Sequence, residues 1–131
     1  MLLSFVANEF IQQGSAVAVL DAPLGRIRNI DPLFFADSRA VGVSVDTIAS
    51  GGLCRVISKG EASFFTGLNP GQIYFAPLSG TAPVVYSDFV NVFNSIEASG
   101  AYLCNLGKAI SPSTLSINLE TPVLIQKDSL N

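Results

Sequence analysis

Apolar and polar residues alternate with a period of two along three segments of this chain. The segments are Val41 to Val45, Leu53 to Ser58 and Leu115 to Leu119. Successive side chains of a β-strand point to opposite faces, so this alternation predicts strands with one buried face.

Six further short runs are rich in β-branched and aromatic residues and are bounded by Gly, Pro, Asn, Asp or Ser. They span residues 15–20, 61–65, 72–76, 83–86, 101–106 and 122–126. Strands thus recur about every ten residues, and no segment has a long apolar repeat at helical spacing. The predicted fold class is all-β: a single β-sandwich or barrel-like domain of short antiparallel strands with little helix.

Local patterns add detail to this prediction. An apolar-Gly strand, a turn and an alternating strand follow one another at residues 41–56 and again at 106–118, which predicts two hairpins. Asn69-Pro70-Gly71 predicts a type II turn. Two segments remain ambiguous between helix and strand: Ser4 to Gln13, and Ser87 to Ala98, whose β-branched residues favour a strand as much as a helix.

A chain of 131 residues fits one domain, and no Pro-, Ser- or charge-rich linker divides it. We expect a β-core over residues 14–126 and a C-terminal tail over 127–131. Residues 1–13 are either the first strand or an N-terminal arm that reaches a neighbouring subunit. The segment is too apolar to stay exposed, because Glu9 is its only charged residue. Its candidate interface residues are Leu2, Leu3, Phe5, Val6, Phe10 and Ile11.

The composition predicts an apolar surface. Charged residues are 13% and hydrophobic residues 49% of the chain, whereas an average domain has about 25% charged residues. A small domain cannot bury so much apolar material, so we expect oligomerisation or docking to cover it. The net charge of −3 argues against a nucleic-acid partner. No apolar run is long enough for a membrane span, and the start lacks the basic residues of a secretion signal.

Candidate catalytic chemistry is scarce. The chain has no His, so the usual base of hydrolases is missing. Its Gly-rich turns match no phosphate or dinucleotide motif. We therefore expect no enzyme activity, no cofactor and no metal site. The carboxylates in turn-like positions are expected to cap their own backbone; they are Asp21, Asp31, Asp37, Asp46, Glu61, Asp88, Glu97 and Glu120.

Two other sets of residues carry open alternatives. Cys54 and Cys104 are either free thiols, which is favoured, or one disulfide. Tyr86 with Asp88, or Tyr102 with Asn105, is compatible with a sugar platform, although packing in the core or an interface is favoured because the chain has no Trp.

The order of several segments resembles a small β-domain of tailed-phage virion proteins. The segments that carry the resemblance are Gly14 to Val17, Ala40 to Ser44, Gly67 to Phe75, Leu106 to Ile117 and Pro122 to Ile125. Such domains occur in capsid decoration (cement) proteins, head fibres and tail-fibre tips, typically as intertwined trimers. The resemblance therefore implies a virion location, after assembly in the host cytoplasm, and a homotrimer.

Because no long shaft precedes these segments, a free-standing cement protein that binds the major capsid protein is the expected member. The alternative is a receptor-binding domain of a fibre or spike that recognises a host surface glycan.

Overall fold

The computed structural model describes residues 1–20, 25–33 and 39–127, and it confirms the all-β class. Asp21, Asp37 and residues 128–131 of the predicted tail lie outside the described residues. Strands dominate the described part, which has one short helix. The elements are β1 Leu2–Ala7, β2 Ala16–Val19, β3 Arg26–Asn29, β4 Ala40–Ser44, β5 Leu53–Ile57, β6 Lys59–Ala62, β7 Ile73–Phe75, β8 Val84–Val85, α1 Tyr86–Ser95, β9 Gly100–Leu103, β10 Asn105–Ala109, β11 Leu115–Asn118 and β12 Val123–Gln126.

The first five strands form a closed barrel in the order β1-β3-β2-β4-β5. β1 pairs antiparallel with β5, from Leu2 opposite Ile57 to Val6 opposite Leu53. On its other side β1 pairs in parallel with β3, and the remaining barrel pairs are antiparallel. The N-terminal segment is therefore the first strand of the domain's own barrel, and neither a helix nor a detached arm.

Two smaller sheets complete the domain. β6, β11, β10, β7 and β8 form an antiparallel five-stranded sheet in that order, and β12 pairs with β9 in a two-stranded sheet. Both predicted hairpins are present, because β4 pairs with β5 and β10 pairs with β11. The segment Ser87 to Ala98, for which the sequence left helix and strand open, contains most of helix α1. This helix begins directly after β8.

Three buried clusters hold these layers together. The barrel interior consists of Ala7, Ile11, Val17, Ile27, Cys54 and Val56, with Phe5, Val41 and Ile48 against them. A second cluster joins the outside of the barrel to the five-stranded sheet, for example Val43 to Leu106 and Ile117. In the third, Phe89 and Phe93 lie one helical turn apart on α1 and pack with Ala101 of β9.

A bulge in β4 allows side chains of this strand to pack in two different clusters. Val17 lies opposite Gly42 and Ala18 opposite Ala40, which leaves Val41 as an extra residue. The extra residue changes which face the following side chains occupy. Val41 therefore packs against the barrel interior, while Val43 packs in the cluster between the barrel and the five-stranded sheet.

Several predicted boundaries differ from the structure. β3 was not predicted, and the run at 61–65 is instead β6 at Lys59–Ala62. The run at 101–106 is divided into β9 and β10. The predicted turn at Asn69-Pro70-Gly71 is confirmed, since the Gln72 N–H donates to the Asn69 carbonyl at 3.1 Å and Gly71 has a φ of 91°.

Substitutions at two adjacent residues test whether the N-terminal segment belongs to the barrel. Ile11 is 0% exposed in the barrel interior, whereas Phe10 is 58% exposed. Ile11→Ala should lower the free energy of unfolding by about 2–5 kcal/mol because it leaves a cavity. Phe10→Ala should change it by less than about 0.5 kcal/mol. Urea denaturation of both variants measures this, and equal losses would contradict the placement.

Candidate protein-binding surface

The outer face of strands β1 and β5 is largely apolar. Alternate residues of each strand point into the barrel, among them Phe5 and Ala7 of β1 and Cys54 and Val56 of β5. The residues between them point outward. We call these the β1–β5 face, and they are Leu2, Ser4, Val6, Leu53, Arg55 and Ile57. Ile57 is half-buried and packs against the cluster between the barrel and the five-stranded sheet.

Strand register assembles these residues into one strip. Leu2 lies opposite Ile57, Ser4 opposite Arg55, and Val6 opposite Leu53. Side chains opposite one another in an antiparallel pair are close enough to touch. Leu2 is 56% and Leu53 is 62% exposed, so both ends of the strip place leucine in water.

Arg55 is the only charged residue of the strip, and it already has a partner. Its Nη2 donates to Asp46 Oδ1 at 2.7 Å, and its Nε donates to Asp46 Oδ2 at 3.0 Å. The Arg55 backbone N–H donates to the same Oδ2 at 3.0 Å. The side-chain hydrogen bonds from Arg55, followed by its backbone N–H, hold the pKa of Asp46 below its usual value of 3.8. Covering the strip therefore desolvates no unpaired charge.

A buried polar contact supports this ion pair from inside the barrel. The Ser44 hydroxyl donates to the Asp46 carbonyl at 2.6 Å and accepts from the Asp46 N–H at 3.2 Å. Ser44 Oγ also lies 3.1 Å from Cys54 Sγ. These bonds fix the turn that carries Asp46 beneath Arg55.

Both cysteines are free thiols in separate clusters, Cys54 inside the barrel and Cys104 between the barrel and the five-stranded sheet. Burial raises the pKa of the Cys54 thiol, and it raises that of Cys104 to about 11. A thiol is nucleophilic only as the thiolate, so neither side chain is activated at neutral pH.

The six N-terminal candidate residues fall into two groups. Leu2, Val6 and Phe10 face outward, and Leu2 and Phe10 are exposed. Ile11 is fully buried, Phe5 packs against the barrel interior, and the half-buried Leu3 lies opposite the buried Val56. Only the first group is available to a partner. Leu53 is exposed but was not among the residues predicted to form an interface. The sequence contains a signal for it, because positions 53 and 57, which face outward, are as apolar as positions 54 and 56, which face inward.

The two candidate pairs for a sugar platform lie on different elements: Tyr86 and Asp88 are in the first turn of α1, and Tyr102 and Asn105 are in β9 and β10. Tyr86 is 53% exposed at the start of α1 and lines a shallow groove with Asn94, Gln126 and Lys127. Tyr102 is half-buried, and the Asn105 side chain donates to Glu120 Oε1 at 3.0 Å.

The carboxylates expected to cap their own backbone in turns differ in their roles. Asp46 and Glu120 accept hydrogen bonds from Arg55 and Asn105, while Glu61 lies in β6 and Asp88 in α1. Asp31 Oδ1 accepts the Leu33 N–H at 3.0 Å, which is the turn role predicted for it. Within residues 1–20, 25–33 and 39–127, no group of three or more Cys, Asp or Glu side chains could hold a metal ion. In the same residues no helix has the length and apolar character to cross a membrane.

No model of a known protein family matches the chain, and neither does any curated protein.

The ion pair beside the β1–β5 face predicts a pH dependence. The pKa of Asp46 in the folded protein is below 3.8, its usual value. Ionised Asp46 therefore stabilises the folded protein above pH 3.8, and this stabilisation is lost as the pH falls through the folded-state pKa. Asp46→Asn should therefore lower the stability by about 1 kcal/mol at pH 7. The difference from the wild type should be smaller at pH 2, because protonated Asp46 is neutral as Asn is.

Urea denaturation at both pH values measures this difference. Glu61→Gln, at an exposed position of β6, is the matched control and should stay within about 0.5 kcal/mol of the wild type at pH 7. A loss for Asp46→Asn that is equal at the two pH values would contradict the assignment.

Proposed function

We propose that this protein is a structural virion protein, namely a capsid decoration (cement) protein that binds and stabilises a phage head through protein–protein contacts. The observation that carries the proposal is the exposed, apolar β1–β5 face. The resemblance to tailed-phage β-domains supports the choice of partner, which is the major capsid protein.

The β1–β5 face has the properties that a protein interface needs. The cores of such interfaces are depleted of charged residues, while their rims are polar. Leu2 and Leu53 of this face are exposed, Val6 is half-buried, and Arg55 is paired with Asp46. Burying apolar surface stabilises a complex by roughly 25 cal/mol per Å² before the costs of association are subtracted. A cement protein needs such contact surfaces and no catalytic group.

Strand β12 supports self-association. Val123 is 59% and Leu124 is 48% exposed, although adjacent residues of a strand point to opposite faces. β12 therefore carries exposed apolar side chains on both faces, and β9 is its only strand neighbour in the described structure. An exposed apolar edge strand is an aggregation hazard that a subunit contact removes. The trimeric stoichiometry comes from the resemblance.

Capsid binding tests the role of the β1–β5 face. The purified protein is added to phage heads that lack it, and bound protein is measured by co-sedimentation. Leu53→Ser should weaken binding at least tenfold, because a buried apolar anchor is lost. Ile110→Ser is the matched control, since Ile110 is 51% exposed outside this face. Equal effects of the two variants, or wild-type binding to host cells but not to heads, would contradict the proposal.

Oligomeric state tests the role of β12. Light scattering at micromolar concentration should give the mass of a trimer, three times 13.8 kDa. Leu124→Lys should shift the population to monomer, since a charge buried at a subunit contact is strongly unfavourable. Gln126→Lys, an exposed polar position of the same strand, is the control and should shift the population less. A wild-type protein that is only monomeric would overturn the trimer.

A further inference from the structure

The outer side of the five-stranded sheet carries a groove of about 240 Å³. Strand register places three of its lining residues in one row, because Lys108 of β10 lies between Ile73 of β7 and Ser116 of β11. Leu115 and Ile117, on either side of Ser116, are buried in the core, so this row faces away from the core. The groove is therefore formed by side chains that a ligand in solution can reach.

A bulge in β10 leaves one position of the groove without a side chain. The pairing of β10 with β7 shifts between Asn105 and Gly107, and both residues line the groove together with Lys108. Gly107 has a φ of 151°, and a side-chain carbon there would overlap the carbonyl of Ser116. Only glycine fits this position, so no side chain fills the groove between Asn105 and Lys108.

Most polar side chains of the groove have hydrogen-bonding capacity to spare. The Asn105 amide donates to Glu120 Oε1 at 3.0 Å. Within the part of the chain that the structure describes, the side chains of Lys108, Ser116 and Asn118 form no hydrogen bond, and neither does the second carboxylate oxygen of Glu120. Lys108, Asn118 and Glu120 are exposed. The groove thus offers a ligand both donors and acceptors that solvent can reach.

The two charged residues of the groove restrict the charge of the ligand. Lys108 and Glu120 both line it, yet they form no salt bridge with each other. An ion of either sign would meet a like charge from one of them, which is unfavourable. Neutral hydroxyl groups meet no such repulsion, because each can accept from the ammonium group, donate to the carboxylate and do both with an amide.

The size of the groove and its apolar edge restrict what carries the hydroxyl groups. Its volume is below the range of about 300–1,000 Å³ that is usual for drug-sized ligands, so it accommodates one small ring. Ile73 is 44% exposed and adds an apolar contact beside the polar groups. A pyranose ring combines several hydroxyl groups with C–H groups on one compact body, and it matches both kinds of contact.

We propose that this groove binds one neutral pyranose ring, the chemistry shared by a free monosaccharide and by the terminal sugar of a glycan. Lys108, Asn118 and Glu120 bind its hydroxyl groups, and Ile73 contacts its C–H groups. Asn105, which the sequence paired with Tyr102 as a sugar platform, instead positions Glu120. The proposal does not depend on the role at the capsid, and it is tested with the isolated protein.

The test is titration of ¹⁵N-labelled protein with the methyl glycosides of glucose, galactose and mannose. Tetrahydropyran-2-methanol, which has the same ring but a single hydroxyl group, is titrated in parallel. At least one glycoside should give saturable shifts of the amide signals of Gly107, Lys108, Ser116 and Asn118. Its affinity should be at least about tenfold higher than that of tetrahydropyran-2-methanol, because it forms more hydrogen bonds. The affinity should be the same at low and high salt, because the ligand is neutral.

Variants at exposed positions test the residues of the groove. Asn118→Ala and Lys108→Ala should each weaken binding of that glycoside about threefold to tenfold, the loss of one hydrogen bond. Asn91→Ala, at an exposed asparagine of α1 outside the groove, is the matched control and should bind as the wild type does. Amide spectra that match the wild type away from each substitution show that the variants are folded.

A disaccharide that ends in the bound sugar separates the two sources. Binding as tight as that of the methyl glycoside supports a terminal sugar of a glycan, and binding by the methyl glycoside alone supports a free monosaccharide. Glycylglycine serves as a zwitterionic probe. Saturable shifts with glycylglycine but with no glycoside, no saturable shift with any probe, or equal effects of Asn118→Ala and Asn91→Ala would overturn the proposal.

Discussion

Closure of the barrel by its first strand is the constraint on which the rest of the structure depends. β1 is hydrogen-bonded to β5 on one side and to β3 on the other, so it leaves neither barrel edge unpaired. Its inward residues Phe5 and Ala7 belong to the barrel interior, while Leu2 and Val6 face outward. One six-residue strand therefore completes the fold and supplies half of the proposed binding face.

Two glycines allow close contacts between neighbouring strands, one within the barrel and one within the five-stranded sheet. A side-chain carbon at Gly42 would overlap the backbone of Ile57, and one at Gly107 would overlap the carbonyl of Ser116. Gly107 also has a φ of 151° and follows a register shift between β10 and β7. These are backbone positions that a larger residue would force apart. Gly42 thus allows β4 to lie close to β5 within the barrel, and Gly107 allows β10 to lie close to β11 within the five-stranded sheet.

Alternation in the sequence predicted β5 and β11 because each has buried residues at a period of two. The same alternation predicted β4, although Gly42, Val43 and Ser44 are buried in succession there. β1 stayed ambiguous because both its faces are apolar, with Phe5 inside and Leu2 outside. β3 has only Ile27 as a buried apolar residue, so its pairing depends on neighbours distant in sequence. The apolar composition indicated an interface, but only strand register locates the exposed part of it.

The pairing of the first strand with the fifth also dictates an order of events during synthesis. Leu2 pairs with Ile57, so β1 leaves the ribosome long before its antiparallel partner exists. Contacts between residues so far apart in sequence form slowly, because loop-closure entropy is lost before they give any stabilisation. During that interval the nascent chain exposes an unpaired apolar strand, the type of segment that chaperones bind and that associates with other chains. The strand that closes the finished barrel is thus without its antiparallel partner during an early part of synthesis.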